Sequence, residues 1–215
     1  CRAMMLDDRA LEFQQKALEQ NPDFAPALYE RMILHAGRYR TRIRELVSEA
    51  WLAEGRRLLE RGQGHVIAGG EIPLPSRGKL AKQDPVALKI RHLIEGDLRS
   101  LEGAPLIGKA ELLSARGVLA WITNKKEDAR SAFTEAISQS IYLEEVYQSI
   151  ATLELEAERF DKAIEWWGEG IEADSGYLPH REGRGETYLQ WGISRASHGE
   201  DPTGQYEQAI EDYRS

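Results

Sequence analysis

Ala129-Arg130-Ser131-Ala132-Phe133-Thr134-Glu135-Ala136-Ile137 and Ala163-Ile164-Glu165-Trp166-Trp167-Gly168-Glu169-Gly170-Ile171 lie 34 residues apart in this chain. Between them, Ala129, Phe133, Ala136 and Ile137 recur as Ala163, Trp167, Gly170 and Ile171. The spacing i, i+4, i+7, i+8 places each set on one stripe of a helix. Gly117, Ala151 and Gly185 mark a second small-residue slot three times at the same interval. A glycine inside a helix costs up to ~1 kcal/mol of propensity, so a tight helix crossing is the expected reason for it. A period in this range signals a solenoid of helical hairpins, each too small to bury its apolar face alone.

Working outward, the period predicts helix pairs at 107–122 with 126–140, at 144–157 with 160–173, and at 179–197 with 203–214. The last pair is stretched, and His198-Gly199-Glu200-Asp201-Pro202 is the expected place of an insertion of about five residues. In each of the first two pairs an aromatic, Phe133 then Trp167, is expected to fill the gap between neighbouring repeats, with Tyr206 in that role in the third. Upstream, Ala10, Gln14, Ala17 and Leu18 repeat the stripe on a helix of roughly 3–20, which Asn21-Pro22 stops. A second helix is expected at about 25–37, with Pro26 in its first turn and Gly37 at its end. A longer apolar stripe (Ile43, Leu46, Val47, Ala50, Leu58, Leu59, with Trp51 beside it) predicts a further helix from about 41 to 61. Residues 62–84 carry Gly62, Gly64, Gly69, Gly70, Pro73, Pro75 and Gly78 and read as one long surface loop. Asp84-Pro85 reads as an N-cap and first helical residue, opening a helix to about 101. The expected organisation is therefore 1–37, a helical pair; 38–104, an Arg-rich helix, the loop and a connecting helix; and 105–215, three helix pairs, the last incomplete.

The pattern resembles the tetratricopeptide repeat, a 34-residue helix–turn–helix unit with small residues at the crossings and an aromatic wedge. Lys16-Ala17-Leu18-Glu19-Gln20-Asn21-Pro22 is similar to that family's usual repeat ending. Ile141 and Ser175 depart from it where the family often has Pro, and Arg181 where it often has a large aromatic that Tyr147 keeps. The resemblance implies an all-α, right-handed α-solenoid that acts as a protein–protein interaction scaffold. It also implies that the first helix of each pair lines a concave groove. The residues so implied are Glu111, Ser114, Val118 and Trp121; Glu145, Gln148, Thr152 and Glu156; and Glu182, Glu186 and Gln190. Trp121 would be an exposed apolar anchor, and the carboxylates would suit a basic or amphipathic peptide or protein. The Lys/Asn/Arg clamp that some members use for C-terminal carboxylates is missing. A second, looser resemblance concerns the order of parts, which looks like the region following the catalytic domain in some bacterial serine/threonine protein kinases. With Cys1 opening the chain and Tyr213-Arg214-Ser215 ending inside a helical pattern, a piece of a longer polypeptide is expected.

Charge and chemistry narrow the classes further. The net charge is −8 over 215 residues, but it is unevenly placed. Residues 31–61 carry eight arginines against four glutamates, whereas 143–215 carry 17 carboxylates against six Lys/Arg. The acidic half repels nucleic acid and favours basic ligands. The Arg38-Arg40-Arg42-Arg44 run leaves phosphates or acidic partners open as an alternative, although alternation at i+2 fans the side chains around a helix. Packing against another domain of its own chain or a second copy is the other alternative. No run approaches the ~18 apolar residues of a membrane span. The single cysteine agrees with a reducing, cytoplasmic compartment. No catalytic constellation, metal site or cofactor motif is expected. Gly69-Gly70 is too weak for a phosphate loop, Cys1 has no placed base, and His180 and His198 near Glu182 and Glu200 read as solvated loop histidines.

Overall fold

Helices are the only regular elements among the described residues of this computed structural model, as the lack of β-branched alternation predicts. The structure describes residues 2–68 and 72–214, with side chains from 8 to 67 and from 72 to 214. Cys1, Gly69 and Gly70 lie outside them. The chain divides into two compact units, Cys1–Ile107 with Ile122–Asn124, and Gly108–Trp121 with Lys125–Ser215.

The first unit is built around one long helix. α1 (Arg2–Gln20) ends where Asn21-Pro22 forbids continuation, and α2 (Ala25–Glu60) begins with Pro26 in its first turn. α2 runs for 36 residues, so the helix end expected at Gly37, and with it the boundary between 37 and 38, is absent. A glycine ends a helix when it takes the left-handed conformation itself, and Gly37, unlike Gly62 and Gly199, does not. Beyond it, Tyr39 and Ile43 continue the buried stripe of Leu28, Met32 and Ala36. α3 (Gly64–Ala68) and α4 (Arg77–Gln83) fold back onto α2, which replaces much of the long loop expected at 62–84 with short helices. α5 (Pro85–Gly103) then packs along α2 through Ala87, Ile94, Leu98 and Leu101. Asp84 caps it as expected, accepting the Ala87 N–H at 2.7 Å. The same carboxylate accepts Arg42 Nη2 at 2.9 Å, and this pairing, followed by the Ala87 bond, holds its pKa below the usual range.

The second unit is an all-α array of hairpins close to the expected bounds: α6 (Lys109–Ile122, in this unit to Trp121) with α7 (Lys126–Gln139), α8 (Glu144–Leu155) with α9 (Phe160–Ala173), and α10 (Leu178–Ser197) with α11 (Thr203–Arg214). From α7 onward each helix packs on the next in chain order, and α8 also touches α10, the arrangement of a solenoid. Ala129, Phe133, Ala136, Ala163, Trp167 and Gly170 are all buried. The wedges, however, point in different directions. A Cβ on Gly117 would stand 2.6 Å from the Phe133 ring, so Phe133 seats on α6 of its own hairpin. A Cβ on Gly183 would stand 2.5 Å from the Trp167 ring, so Trp167 reaches forward onto α10 and donates Nε1–H to Thr187 Oγ1 at 3.1 Å. Tyr206 packs back onto α10 beside Gly192.

All three hairpins close with one turn geometry. Asn124 (φ 65), Glu158 (φ 57) and Gly199 (φ 76) each take the left-handed conformation. The next amide in each case returns to a carbonyl five residues back: Lys125 to Ala120, Arg159 to Glu154 and Glu200 to Arg195, at 2.8 to 3.0 Å. The extra residues of the third pair are mostly helical. α10 has 20 residues against 12 in α8, and α11 starts at Thr203 where the period from Phe160 would place Ser194.

Two glycine substitutions separate helix propensity from packing. Gly37→Ala, with nothing within 4 Å of the added carbon, is expected to raise stability by about 0.5–1 kcal/mol in urea denaturation. Gly117→Ala is expected to lower it by about 1–3 kcal/mol, because the fully buried Phe133 ring has no room to retreat. A gain at both positions would contradict the seating of Phe133.

Candidate partner-binding face

Each first helix of the array carries residues implied to face a ligand, and their environments differ. On α6, Ser114 and Val118 are buried, and Trp121 is only 8% exposed. Trp121 is therefore not the exposed anchor expected. Its ring meets Phe133 edge-on at 6.3 Å, and Nε1–H donates to Glu156 Oε2 at 3.2 Å. Apolar burial claims a large aromatic wherever a neighbouring ring can take it, and the spacing of the stripe alone does not say which side of the helix is covered. Glu111 is half-buried, and its carboxylate fills the space that a side chain on Gly108 would need.

On α8, Glu145, Gln148 and Thr152 are half-buried, as is Glu156 just after the helix. Thr152 Oγ1–H donates to the Gln148 carbonyl at 2.7 Å, a bond within its own helix. On α10, Glu182, Glu186 and Gln190 are all exposed, and Gln190 Nε2 donates to Glu186 Oε1 at 3.0 Å. These three are the 34-residue equivalents of Gln148, Thr152 and Glu156, so the α8 and α10 rows occupy the same helix face in adjacent hairpins that touch.

The orientation of α10 follows from what it packs against. His180, Gly183 and Thr187 turn toward α9, while Arg184, Gly185 and Gly192 turn toward α11. The remaining side holds Glu182, Glu186, Leu189 and Ile193, at i, i+4, i+7 and i+11, a single stripe pointing away from both neighbours. Leu189 is 40% exposed and Ile193 56%. Sequence reasoning missed both aliphatic residues, although their spacing from Glu182 and Glu186 was available. It also missed Ile141, Tyr142 and Leu178, exposed at the turns between hairpins.

Charge pairing sharpens the contrast between this stripe and the rest of the unit. Glu154 is buried and receives Arg130 Nε at 2.6 Å and Arg159 Nε at 2.5 Å. Asp212 is buried and receives Arg184 through two bonds at 2.6 and 2.9 Å. Glu182 and Glu186, by contrast, have no cationic partner among the described residues. In the first unit the basic run is largely engaged. Arg31 forks onto buried Asp97, Arg38 pairs with Asp8, Arg42 bonds Asp84, Glu45 and Glu49, and Arg44 donates to Thr41. Among the described residues there is no group of three or more His, Cys, Asp or Glu side chains that could hold a metal ion. No helix of the described residues is long and apolar enough to cross a membrane.

No family model matches the chain, and no curated protein does. Among solved structures it is similar to MamA, at 15% identity over 99% of this chain and 92% of that one, with a TM-score of 0.43. It is also similar to YrrB, described as a TPR protein with an unusual peptide-binding site, at 15% identity over 98% and 80% with a TM-score of 0.39. A third is the APC/C hetero-tetramer Cut9-Hcn1, at 12% identity over 96% and 43% with a TM-score of 0.43. Likeness at this level assigns the chain neither a family nor a partner.

With Trp121 buried, its truncation becomes a stability experiment. Trp121→Ala is expected to cost about 3–5 kcal/mol in urea denaturation, the usual range for emptying a buried large aromatic. An unshifted midpoint would restore the ring to the surface.

Proposed function

We propose that the second unit is a protein-interaction module that holds a basic, amphipathic segment of a partner protein against α8 and α10. The observation that carries this reading is the α10 stripe, two carboxylates without a cationic partner in line with two exposed aliphatic side chains. A helix or extended segment presenting Lys or Arg beside Leu or Ile matches that alternation in both charge and hydrophobicity. Glu145, Gln148, Thr152 and Glu156 extend the same face onto α8, and Leu189 with Ile193 takes the anchoring role that the sequence suggested for Trp121. Because the face is built on packed helices, docking costs little ordering of the scaffold. The net charge of −8 adds long-range attraction for a cationic partner. Glu111, Ser114, Val118 and Trp121 are then support for the array.

A fluorescein-labelled amphipathic Lys/Leu peptide provides the test, titrated with the full chain and followed by anisotropy. Glu182→Lys with Glu186→Lys is expected to weaken binding at least ~10-fold and to flatten its salt dependence. Leu189→Ser with Ile193→Ser is expected to weaken it by a similar factor while leaving the salt dependence unchanged. Equal affinity in wild type and both variants would remove the stripe from the binding face.

A further inference from the structure

His180 is not the solvated loop histidine that its sequence neighbours suggested. It lies in the first turn of α10 with 0% exposure, and neither ring nitrogen has a hydrogen-bond partner. Three aromatic rings surround it, one from each neighbouring segment: Tyr147 of α8 at 6.1 Å, Trp167 of α9 at 5.9 Å and Tyr177 of the α9–α10 turn at 4.8 Å. A Cβ on Gly170 would stand 3.0 Å from three atoms of the imidazole, so the ring is pressed against the backbone of α9. The corresponding position one repeat earlier is Ala136, so the glycine makes room for this ring.

A neutral imidazole carries one donor and one acceptor, and leaving both unmet in an apolar enclosure is costly. Adding a proton makes the group a cation with two unmet donors, which the enclosure penalises far more. Burial accordingly holds its pKa below the ordinary value, with Glu144 of α8 and Asp174 after α9 pulling weakly the other way. Attraction to the aromatic faces does not replace two hydrogen bonds. These two acidic groups and the rings of Tyr147 and Tyr177 are the titratable groups that face it from α8, α9 and the turn.

We propose that His180 is an acid-sensitive latch: its protonation releases α10 from α8 and α9 and loosens the second unit. The sign follows from linkage. A histidine with a folded pKa below the unfolded one leaves the unfolded state holding more protons, so the protonation penalty is absent above about pH 6.5 and stability falls as pH drops below it. The latch does not depend on the partner reading, because it concerns the scaffold alone.

Two measurements on the full chain test it. First, the histidine Cε1–H resonances are followed by NMR from pH 8 to 5, with His180 assigned by its disappearance in His180→Leu. The His180 signal is expected to stay at its neutral position as pH falls, and then to change only as the α9 and α10 amides lose protection. Titration of His180 at or above about pH 6.5 without loss of protection would overturn the proposal. Second, between pH 7.5 and 5.5 the wild-type Tm is expected to fall at least ~3 °C further than that of His180→Leu. His35, also buried with its pKa lowered by desolvation, contributes to both proteins and cancels in the difference. Equal falls would sink the latch. If His180→Leu does not fold, assignment passes to through-bond NMR on wild type. Amide exchange corrected for intrinsic rate then decides: deprotection confined to α8–α10 supports the latch, and uniform deprotection overturns it.

Discussion

The second unit depends on rings seated against bare backbone. No single hairpin there has enough apolar surface to fold alone, so the spacing between helices must be small and fixed. Phe133 sets that spacing on α6 because Gly117 has no side chain, and Trp167 sets it on α10 because Gly183 has none. Both rings are buried, and dispersion falls steeply when such contacts open by even an ångström. Glycine weakens a helix locally, yet at these crossings the packing gained outweighs the propensity lost. The direction of each ring also matters. Phe133 closes a hairpin, whereas Trp167 joins one hairpin to the next, so loss of Trp167 would separate neighbours without unmaking either.

Charge is sorted by the same packing. Asp97, Glu154 and Asp212 are buried, and each is met by one or two arginines that reach from another helix or turn. Such pairs contribute little net stability once desolvation is counted, but a misaligned helix would strand a buried charge, so they select one register. Glu154 shows this most clearly, since its carboxylate takes Arg159 Nε while its carbonyl takes the Arg159 amide in the turn. Pairing the interior acids with arginines leaves the acids of α10 facing outward.

The repeat was legible because its signal is redundant. Ala129, Phe133 and Ala136 recur in kind, and helix bounds from α6 to α11 followed to within one or two residues. The common turn was not legible, since Asn124, Glu158 and Gly199 share a conformation and no chemistry. Gly37 misled for the opposite reason: its composition suggests an end, but only the buried Tyr39 and Ile43 reveal that the helix continues. At the candidate face, helical spacing named the exposed row on α10 and the half-buried row on α8. It could not separate Trp121 from a surface aromatic, because periodicity gives a side chain's azimuth and not what covers it. His180 was missed because its partners come from α8, α9 and a turn, at sequence distances that no local pattern records.

The length of α10 brings these themes together. Its first turn holds His180 inside the aromatic enclosure, its middle holds Glu182 and Glu186 in the open, and its extra turns carry Ile193 past the end of α8's reach. A helix behaves as a rigid body over 20 residues, so a displacement at its first turn moves the whole exposed stripe. Whatever loosens the imidazole from Gly170 therefore also moves the carboxylates and aliphatic residues relative to α8. The scaffold and its outward face thus share one helix, which His180 and Trp167 hold on the α9 side and Asp212 and Tyr206 hold on the α11 side.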